Sequence, residues 1–558
     1  MSTPGSFEAS VELLDDTIAE LSDRKQDWLK LPISERMKSL CQCMNHTRAV
    51  AEAWAIAACE AKGIDPDSSL AGEEWLVGPL AVLLNLKLLI QTLEANGQPK
   101  LPQLSRRNDG QMVARIFPDN LKDRLLWLGF SGDVWMEPGK PATQGLIYRE
   151  KPGQGKVALV LGAGNIAAIA AMDTLYKLFA EDQVVLLKMN PVNEYVGAFL
   201  EQAFQPLIQD GFLRIVYGGA DVGKYLCRHP AIDTIHITGA HQTHDAIAWG
   251  ETTEQQATRK SANDPVLKKP LTSELGNVTP ILVVPGKWSN AELRFQARHV
   301  ASMVAHNASF NCIAGKVLVT ASGWQQREEF LDLVRQQLAK TPPRKAYYSG
   351  AQQRYQAFLD RYPQAQALGD RTDDVVPWTI IPDVPDTSGE YALTTEAFCG
   401  VLAEVTLEAG NAKEFLEKAV VFANETVWGN LACVMLIDPR TQRVCEVELD
   451  RAIAQLRYGA IGINAWTGMT FLLPSMPWGA FPGNPLTDIR SGHGMVHNTY
   501  LFEHPQKSVL RAPFQILPTP IWFADHKNLQ NVARRYVDFL FNSTWSNFLG
   551  IVFAALKG

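Results

Sequence analysis

Apolar and polar positions change rhythm twice along this chain. From residue 8 to about 96, apolar residues recur every three or four positions, most clearly over 33–44 and 49–61, with few strand formers among them. That spacing predicts helices. Between Gly97 and Pro141 the rhythm dissolves into proline, glycine and mixed charge, and 126–135 reads as an extended arm or a hairpin. From Gly145 onward, short apolar runs alternate with helical patterns: strands are predicted at 156–161, 184–188, 213–216 and 234–238, with helices between them. A second series follows at 280–284, 316–320, 401–407, 431–437 and 459–464. Strands separated by helices form a parallel sheet covered by those helices. The fold class expected is therefore α/β, with two interlocked α/β domains, an arm and an extra C-terminal segment. The boundaries expected are 1–125 for a helical N-terminal part, 126–150 for a bridging arm and 151–275 for a Rossmann-like domain. A domain at 276–480 and a late bridging segment with tail at 481–558 complete the chain.

Composition narrows the class without changing that picture. With 558 residues, 46% of them hydrophobic and 20% charged, the chain can bury large cores in two or three domains. A net charge of −7 and the lack of any Lys/Arg-rich arm argue against nucleic acid as a partner. Eight cysteines are too sparse for a disulfide scaffold, and Cys41 and Cys43 have neither zinc-site nor redox-motif spacing, which fits a reducing compartment. Residues 1–16 are polar and acidic, unlike a secretory leader, so a cytoplasmic location is expected. The apolar run 79–90 is interrupted by Asn85 and Lys87. The tail 536–557 is rich in aromatic and aliphatic residues broken midway by polar ones; packing against the protein or a second subunit is favoured over peripheral membrane contact. His229, His236, His241, His244 and His306 lack the spacing of a metal site, so no metal is expected.

The candidate chemistry centres on Cys312, in a polar and glycine-containing stretch, and on Glu274, which lies 38 residues upstream. A thiol attacks a carbonyl as its thiolate, and a nearby carboxylate can activate water to cleave the resulting thioester. The first strand of the alternating region ends in Gly162-Ala-Gly-Asn-Ile-Ala167, a G-x-G-x-x-A pattern. A dinucleotide fingerprint also wants an acidic residue after the next strand, where this chain has Lys188.

Several motifs, in order, resemble the aldehyde dehydrogenase superfamily over about residues 145–510. Asn165 and Lys188 stand at the family's interval between its oxyanion asparagine and a strand-ending lysine. His229-Pro-Ala-Ile-Asp-Thr-Ile-His-Ile-Thr-Gly-Ala240 is similar to the family's HP.I..I.FTGS segment, and Glu274-Leu-Gly-Asn-Val-Thr-Pro280 to its ELGGK.P motif. Asn307 to Cys312 is similar to N.GQ.C, Thr395 to Gly400 to E.FGPV, and Tyr458 to Asn464 to a late asparagine-bearing strand. The resemblance implies oxidation of a small-molecule aldehyde to an acid with NAD or NADP. Cys312 would be the nucleophile, Glu274 the base, and Asn165 a donor to the oxyanion. Lys188 and Glu396 would hold ribose hydroxyls. Phe398 would line the cofactor site, and Thr238, Gly239 and Ala240 would lead into a helix facing the pyrophosphate. The resemblance of 126–150 and 495–515 to the family's arm and its pairing segment implies a homo-dimer or homo-tetramer.

The chain departs from the family pattern in places. Pro191 occupies a position where many NAD-preferring members have Glu, His244 replaces a glycine of the phosphate turn, and Ser309-Phe310-Asn311 precedes the nucleophile. Phe310 is expected to narrow or re-aim the surroundings of the thiol. The late PFGG.K.SG.G motif survives only as Pro477 to Ala480 and Arg490 to Gly494. Each residue also has a plainer reading: a buried thiol for Cys312, a surface charge for Glu274, a helix cap for Asn165, and a strand-end side chain for Lys188. Trp466, Phe471 and Trp478 suggest an apolar substrate channel, or simply core. Two other classes stay open: a reductase of acyl thioesters or acyl phosphates using the same cysteine, and a non-catalytic relative.

Overall fold

A computed structural model describes residues 11–150 and 152–558. Its frame is two sheets. The first has six strands; Leu213–Val216, Val184–Lys188, Val157–Leu161, Thr234–Gly239 and Leu271–Leu275 run parallel in that spatial order, and Gly492–His493 closes one edge antiparallel. Val157–Leu161 and Val184–Lys188 are continuous apolar runs buried on both faces, as strands covered by helices on two sides must be. The two sides are covered in part by Val11–Lys30 and by Ile169–Phe179.

The second sheet has eleven strands. Seven of them are parallel: Thr379–Val384, Val401–Leu407, Gly315–Ala321, Thr279–Val283, Ala432–Leu436, Ala460–Ile463 and Pro505–Arg511. Those expected at 280–284, 316–320, 401–407, 431–437 and 459–464 fall within a residue or so of their observed bounds. The strand Thr379–Val384 lies in a region that periodicity did not resolve. The α/β class and its two-part organisation agree with the sequence expectation.

The region around the arm differs in detail. Within the stretch after Gly97 where the rhythm dissolves, Gln103–Arg106 and Met112–Phe117 form strands, and the hairpin partner of Ser131–Met136 is Met112–Phe117. Ser131–Met136 then pairs antiparallel with Pro505–Arg511 of the same chain, adding three strands to the second sheet. The arm and its pairing segment thus meet within one chain.

Helices Val11–Lys30 and Ile33–Lys62 follow the predicted N-terminal pattern. A third helical run, Ser69–Glu94, is long and apolar enough to cross a membrane, yet most of it is buried within the protein. It kinks at Gly78-Pro79, where Gly78 leaves helical φ/ψ and the turn widens into a π-helical segment. The carbonyl of Val77 at that kink accepts the N–H of Ala168 at 3.0 Å, which ties the run to the start of Ile169–Phe179. The tail forms helices Leu529–Phe541 and Trp545–Ala555, and Leu529–Phe541 packs on Gly72–Trp75 and its neighbours. This is the packing against the protein favoured from sequence.

Candidate active site

Cys312 sits in the loop between helix Asn290–Ala305 and strand Gly315–Ala321. Three consecutive residues before it, Asn307, Ala308 and Ser309, have φ of 52°, 53° and 65°. Left-handed backbone at non-glycine residues costs on the order of 1–3 kcal/mol each and persists only where the surroundings enforce it. Here, buried polar groups do so. The Asn307 amide donates to the Phe310 carbonyl at 2.8 Å and to the Asn165 carbonyl at 3.2 Å. The Lys316 ammonium donates to the Ser309 carbonyl and hydroxyl at 3.1 and 2.9 Å. Lys62, from the N-terminal helices, donates to both oxygens of buried Glu74 at 2.9 Å, to the Asn165 carbonyl at 3.1 Å and to Asn307 Oδ1 at 3.0 Å.

Glu274 comes from the first sheet, near the C-terminal end of Leu271–Leu275. Its strand meets Gly492 across the register, where φ is 122° and a Cβ would fall on the Ser273 carbonyl, so only glycine allows this approach. The Cys312 thiol donates to Glu274 Oε1 at 3.3 Å. Burial, followed by the neighbouring charge of Asp173, pushes the Glu274 carboxyl up to about 8. Burial and then the neighbouring Glu274 raise the Cys312 thiol well above its ordinary value. Asn165 does not cap Ile169–Phe179, which begins after Ala168. Its amide instead donates to the Phe310 carbonyl at 3.1 Å, on the nucleophile loop.

Cys312, Glu274 and Asn165 share a cavity of about 310 Å³ with Thr238, Gly239, Ala240, Glu396 and Phe398. It lies at the carboxyl ends of the parallel strands of the first sheet, where open α/β sheets place ligands. Glu396 Oε1 has no hydrogen-bond partner, and burial raises its carboxyl to about 7 against the pull of Lys316 and Arg354. Helix His241–Trp249 starts beside the cavity with no side-chain cap, leaving its first N–H groups free for an anion. His244, on that helix, is fully buried and does not line the cavity. Lys188 stands one strand over, where its carbonyl accepts the Gly162 N–H at 3.1 Å; its side chain does not line this cavity.

One expectation is corrected here. Phe310 does not line the cavity: it is buried among Tyr347, Tyr348 and Phe398, with ring centroids 5.0, 5.9 and 5.9 Å away. Of the two readings of Trp466, Phe471 and Trp478, the structure agrees with core: all three are buried outside the cavity lining, with the Trp466 indole donating to the Ile313 carbonyl at 3.0 Å. Tyr348 and Arg354 do line it, and neither was singled out from sequence. They sit in a stretch whose polar helical pattern carries no motif.

The fold and site define a two-sheet α/β protein with a thiol and a carboxylate in hydrogen-bond contact within one cavity. The chain belongs to the aldehyde dehydrogenase family, whose model matches residues 146–481. Among curated proteins it is similar to N-succinylglutamate 5-semialdehyde dehydrogenase of Sphingopyxis alaskensis, 28% identical over 172 residues; the match spans 31% of this chain and 32% of that protein. Thus the chain aligns with only about a third of the length of that curated relative. Among solved structures, an NAD-dependent aldehyde dehydrogenase of Sinorhizobium meliloti superimposes with a TM-score of 0.61 at 18% identity, covering 92% of this chain and 88% of the other. A Pseudomonas syringae aldehyde dehydrogenase variant crystallised with NAD+ and octanal does so with a TM-score of 0.61 at 17% identity, covering 92% and 90%. At such identities the likeness establishes the shared fold.

Proposed function

We propose that this chain oxidises an aldehyde to a carboxylic acid with NAD or NADP, through a thioester on Cys312. The observation that carries this reading is the 3.3 Å contact between the Cys312 thiol and Glu274, within one cavity that also holds Asn165. Cys312 attacks the aldehyde carbon, and the Asn165 amide with the Cys312 N–H receives the oxyanion. The nicotinamide, when bound, supplies the hydride acceptor. Glu396 would hold a ribose hydroxyl, and the uncapped start of His241–Trp249 would face the pyrophosphate, while Lys188, outside the cavity lining, has no such contact. The orphaned Glu396 oxygen and that free helix end fit such a group. Glu274 then takes a proton from the water that cleaves the thioester. A base so placed has no use in a reductase of acyl thioesters or acyl phosphates.

The test is reduced-nicotinamide absorbance with short, long and aromatic aldehydes and either cofactor. Turnover is expected with at least one pair and should rise with pH through about 8, as Glu274 ionises. Reduction of acyl thioesters without aldehyde oxidation would reverse the assignment. Replacing Asn165 by alanine is expected to lower kcat by roughly 10²–10³, the usual cost of one oxyanion donor. An unchanged kcat would remove Asn165 from the role.

The tail supports a further part of this reading, contact with a phospholipid surface. Trp545, Leu549 and Phe553 are exposed on the last helix and Leu556 just after it, and Leu121, Leu125 and Leu128 are exposed on the segment whose Lys122 lies 5.6 Å from the Trp545 ring; Arg124 and Lys557 are exposed as well. Exposed apolar and aromatic side chains with basic residues among them suit an anionic bilayer surface. Co-sedimentation with anionic vesicles is expected and should be lost in a Leu549→Ser/Phe553→Ser protein. Equal sedimentation of both proteins would sink this part.

A further inference from the structure

Helix His241–Trp249 begins on a residue that the reaction, as described so far, leaves unused. Its N-cap is Ala240, whose side chain cannot accept a hydrogen bond from the first turn. The N–H groups of Thr243 and His244 both go to the Ala240 carbonyl, at 3.1 and 3.2 Å, which leaves those of His241 and Gln242 without an acceptor among the described residues. The His241 side chain lines the cavity that also holds Cys312, Glu274 and Glu396. Its partly buried ring packs against Trp428 with centroids 4.8 Å apart, and neither ring nitrogen bonds to a described residue. In the same cavity Glu274, 2% exposed, keeps its Oε2 unpartnered, and Glu396 Oε1 is unpartnered too, so the cavity holds buried polar atoms waiting for a ligand's own groups. An imidazole packed on one face, bonded to nothing and placed at a helix start with two free N–H groups, is arranged to meet an anion.

The charges around His241 decide which form it takes before anything binds. Burial is the largest influence and lowers the imidazole below its ordinary value; Asp245 acts against that, while Lys260 and His244 act with it. Asp245 and His244 lie on the same helix, and Lys260 on helix Thr253–Ala262. The Asp245 carboxylate is already engaged, by Lys260 at 2.7 Å and by His244 Nδ1 at 3.4 Å. The loop before Ala432–Leu436 brings Trp428, which has no charge, and the cavity also holds Glu274, Glu396 and Arg354. At pH 7 and above the ring is therefore neutral. A group with two negative charges set against it reverses that, since an opposite charge within about 4–6 Å favours the protonated form.

We propose that His241 is a ligand of the cofactor's diphosphate and takes a proton from solvent as that group binds. The proposal rests on the nicotinamide-cofactor reading above. Neutral imidazole and one solvent proton become imidazolium paired with the diphosphate, and the same proton returns to water when the cofactor leaves; no covalent bond forms or breaks. The His241 and Gln242 N–H groups meet the anion at any pH, whereas the side chain adds its charge only while it keeps the proton. The sign follows from the raised value in the complex: cofactor affinity is greatest at acid pH and falls as pH rises through the imidazole's value in the complex.

Calorimetric titration with ADP-ribose, which has the diphosphate but no nicotinamide, tests this without turnover. Run at pH 7 in two buffers of different ionisation heat, the wild-type protein is expected to take up a sizeable fraction of one proton per site. Its Kd should rise about tenfold between pH 6 and pH 8, the effect of a modest rise in the imidazole's value on binding. His241→Gln should bind more weakly at pH 6 and lose both the proton uptake and most of the pH dependence. His241→Lys, whose charge persists, should bind at pH 8 about as tightly as the wild type does at pH 6. Equal proton uptake in the wild type and His241→Gln overturns the proposal and gives that proton to a cavity carboxylate, Glu274 or Glu396. An unchanged Kd in His241→Gln at pH 6 overturns it as well. Either result leaves the cofactor reading standing, whereas a wild-type protein that binds none of ADP-ribose, NAD and NADP removes that reading and the proposal together.

Discussion

The Glu274→Gln protein is expected to form about one equivalent of reduced nicotinamide per site and then slow by roughly 10²–10⁴, the range a positioned general base contributes. Glutamine keeps the size and one carbonyl oxygen of the side chain, so the thiol's 3.3 Å contact has an acceptor still. It cannot take a proton from water, so the thioester accumulates. Cys312→Ala removes the nucleophile and should show neither burst nor turnover. Rapid-mixing absorbance checks both proteins. A Glu274→Gln protein that turns over at the wild-type rate would remove the base role. The same substitution has a stability signature whose sign follows from the raised carboxyl. Glu274 titrates near 8 when folded and near 4.5 when unfolded, so its contribution to stability is complete below about 4.5 and is lost as pH rises through about 8. The glutamine protein lacks that loss and should gain on the wild type as the medium becomes alkaline. Burial that costs stability is thus what keeps the base poised for catalysis.

The legibility of this site divides along physical lines. The strand and helix series from residue 156 onward could be read because each strand is a short apolar run buried on both faces, a local property of sequence. Cys312, Glu274, Asn165 and Glu396 could be read because each lies in a short motif resembling the family's, although nothing local showed that they would share one cavity. The strands Gln103–Arg106 and Met112–Phe117 were missed because they are short and owe their state to pairing with Ser131–Met136. His236 carries no motif beyond its lack of metal-site spacing, and its approach to Asp173 arises only when the helix Ile169–Phe179 packs on the sheet. Lys62 gave no signal at all. It looks like the ordinary basic residue of a helix's last turn, and its partners Asn165 and Asn307 lie 103 and 245 positions away.

That hidden lysine carries the largest expected effect on stability. Lys62→Met is close to isosteric and leaves Glu74 charged and buried, with the Asn165 carbonyl and Asn307 Oδ1 each short of a donor. Stripping one member from a buried ion pair costs about 3–5 kcal/mol, because the remaining charge has neither water nor partner. The Tyr347 hydroxyl, which donates to the same two oxygens at 3.0 and 3.1 Å, softens the loss without replacing the charge. Urea unfolding of the full chain should show the midpoint shifted down with little change in slope. Adding Glu74→Leu should restore most of that loss, since a buried pair exchanged for apolar side chains of similar volume is often neutral. Activity should not return with stability. The doubly changed protein still lacks the ammonium that fixes the Asn165 carbonyl and the left-handed Asn307, so kcat should remain lowered while the midpoint recovers. Recovery of both together would mean that Lys62 only balances a charge. Recovery of the midpoint alone would mean that the N-terminal helices hold the oxyanion donor and the nucleophile loop in register.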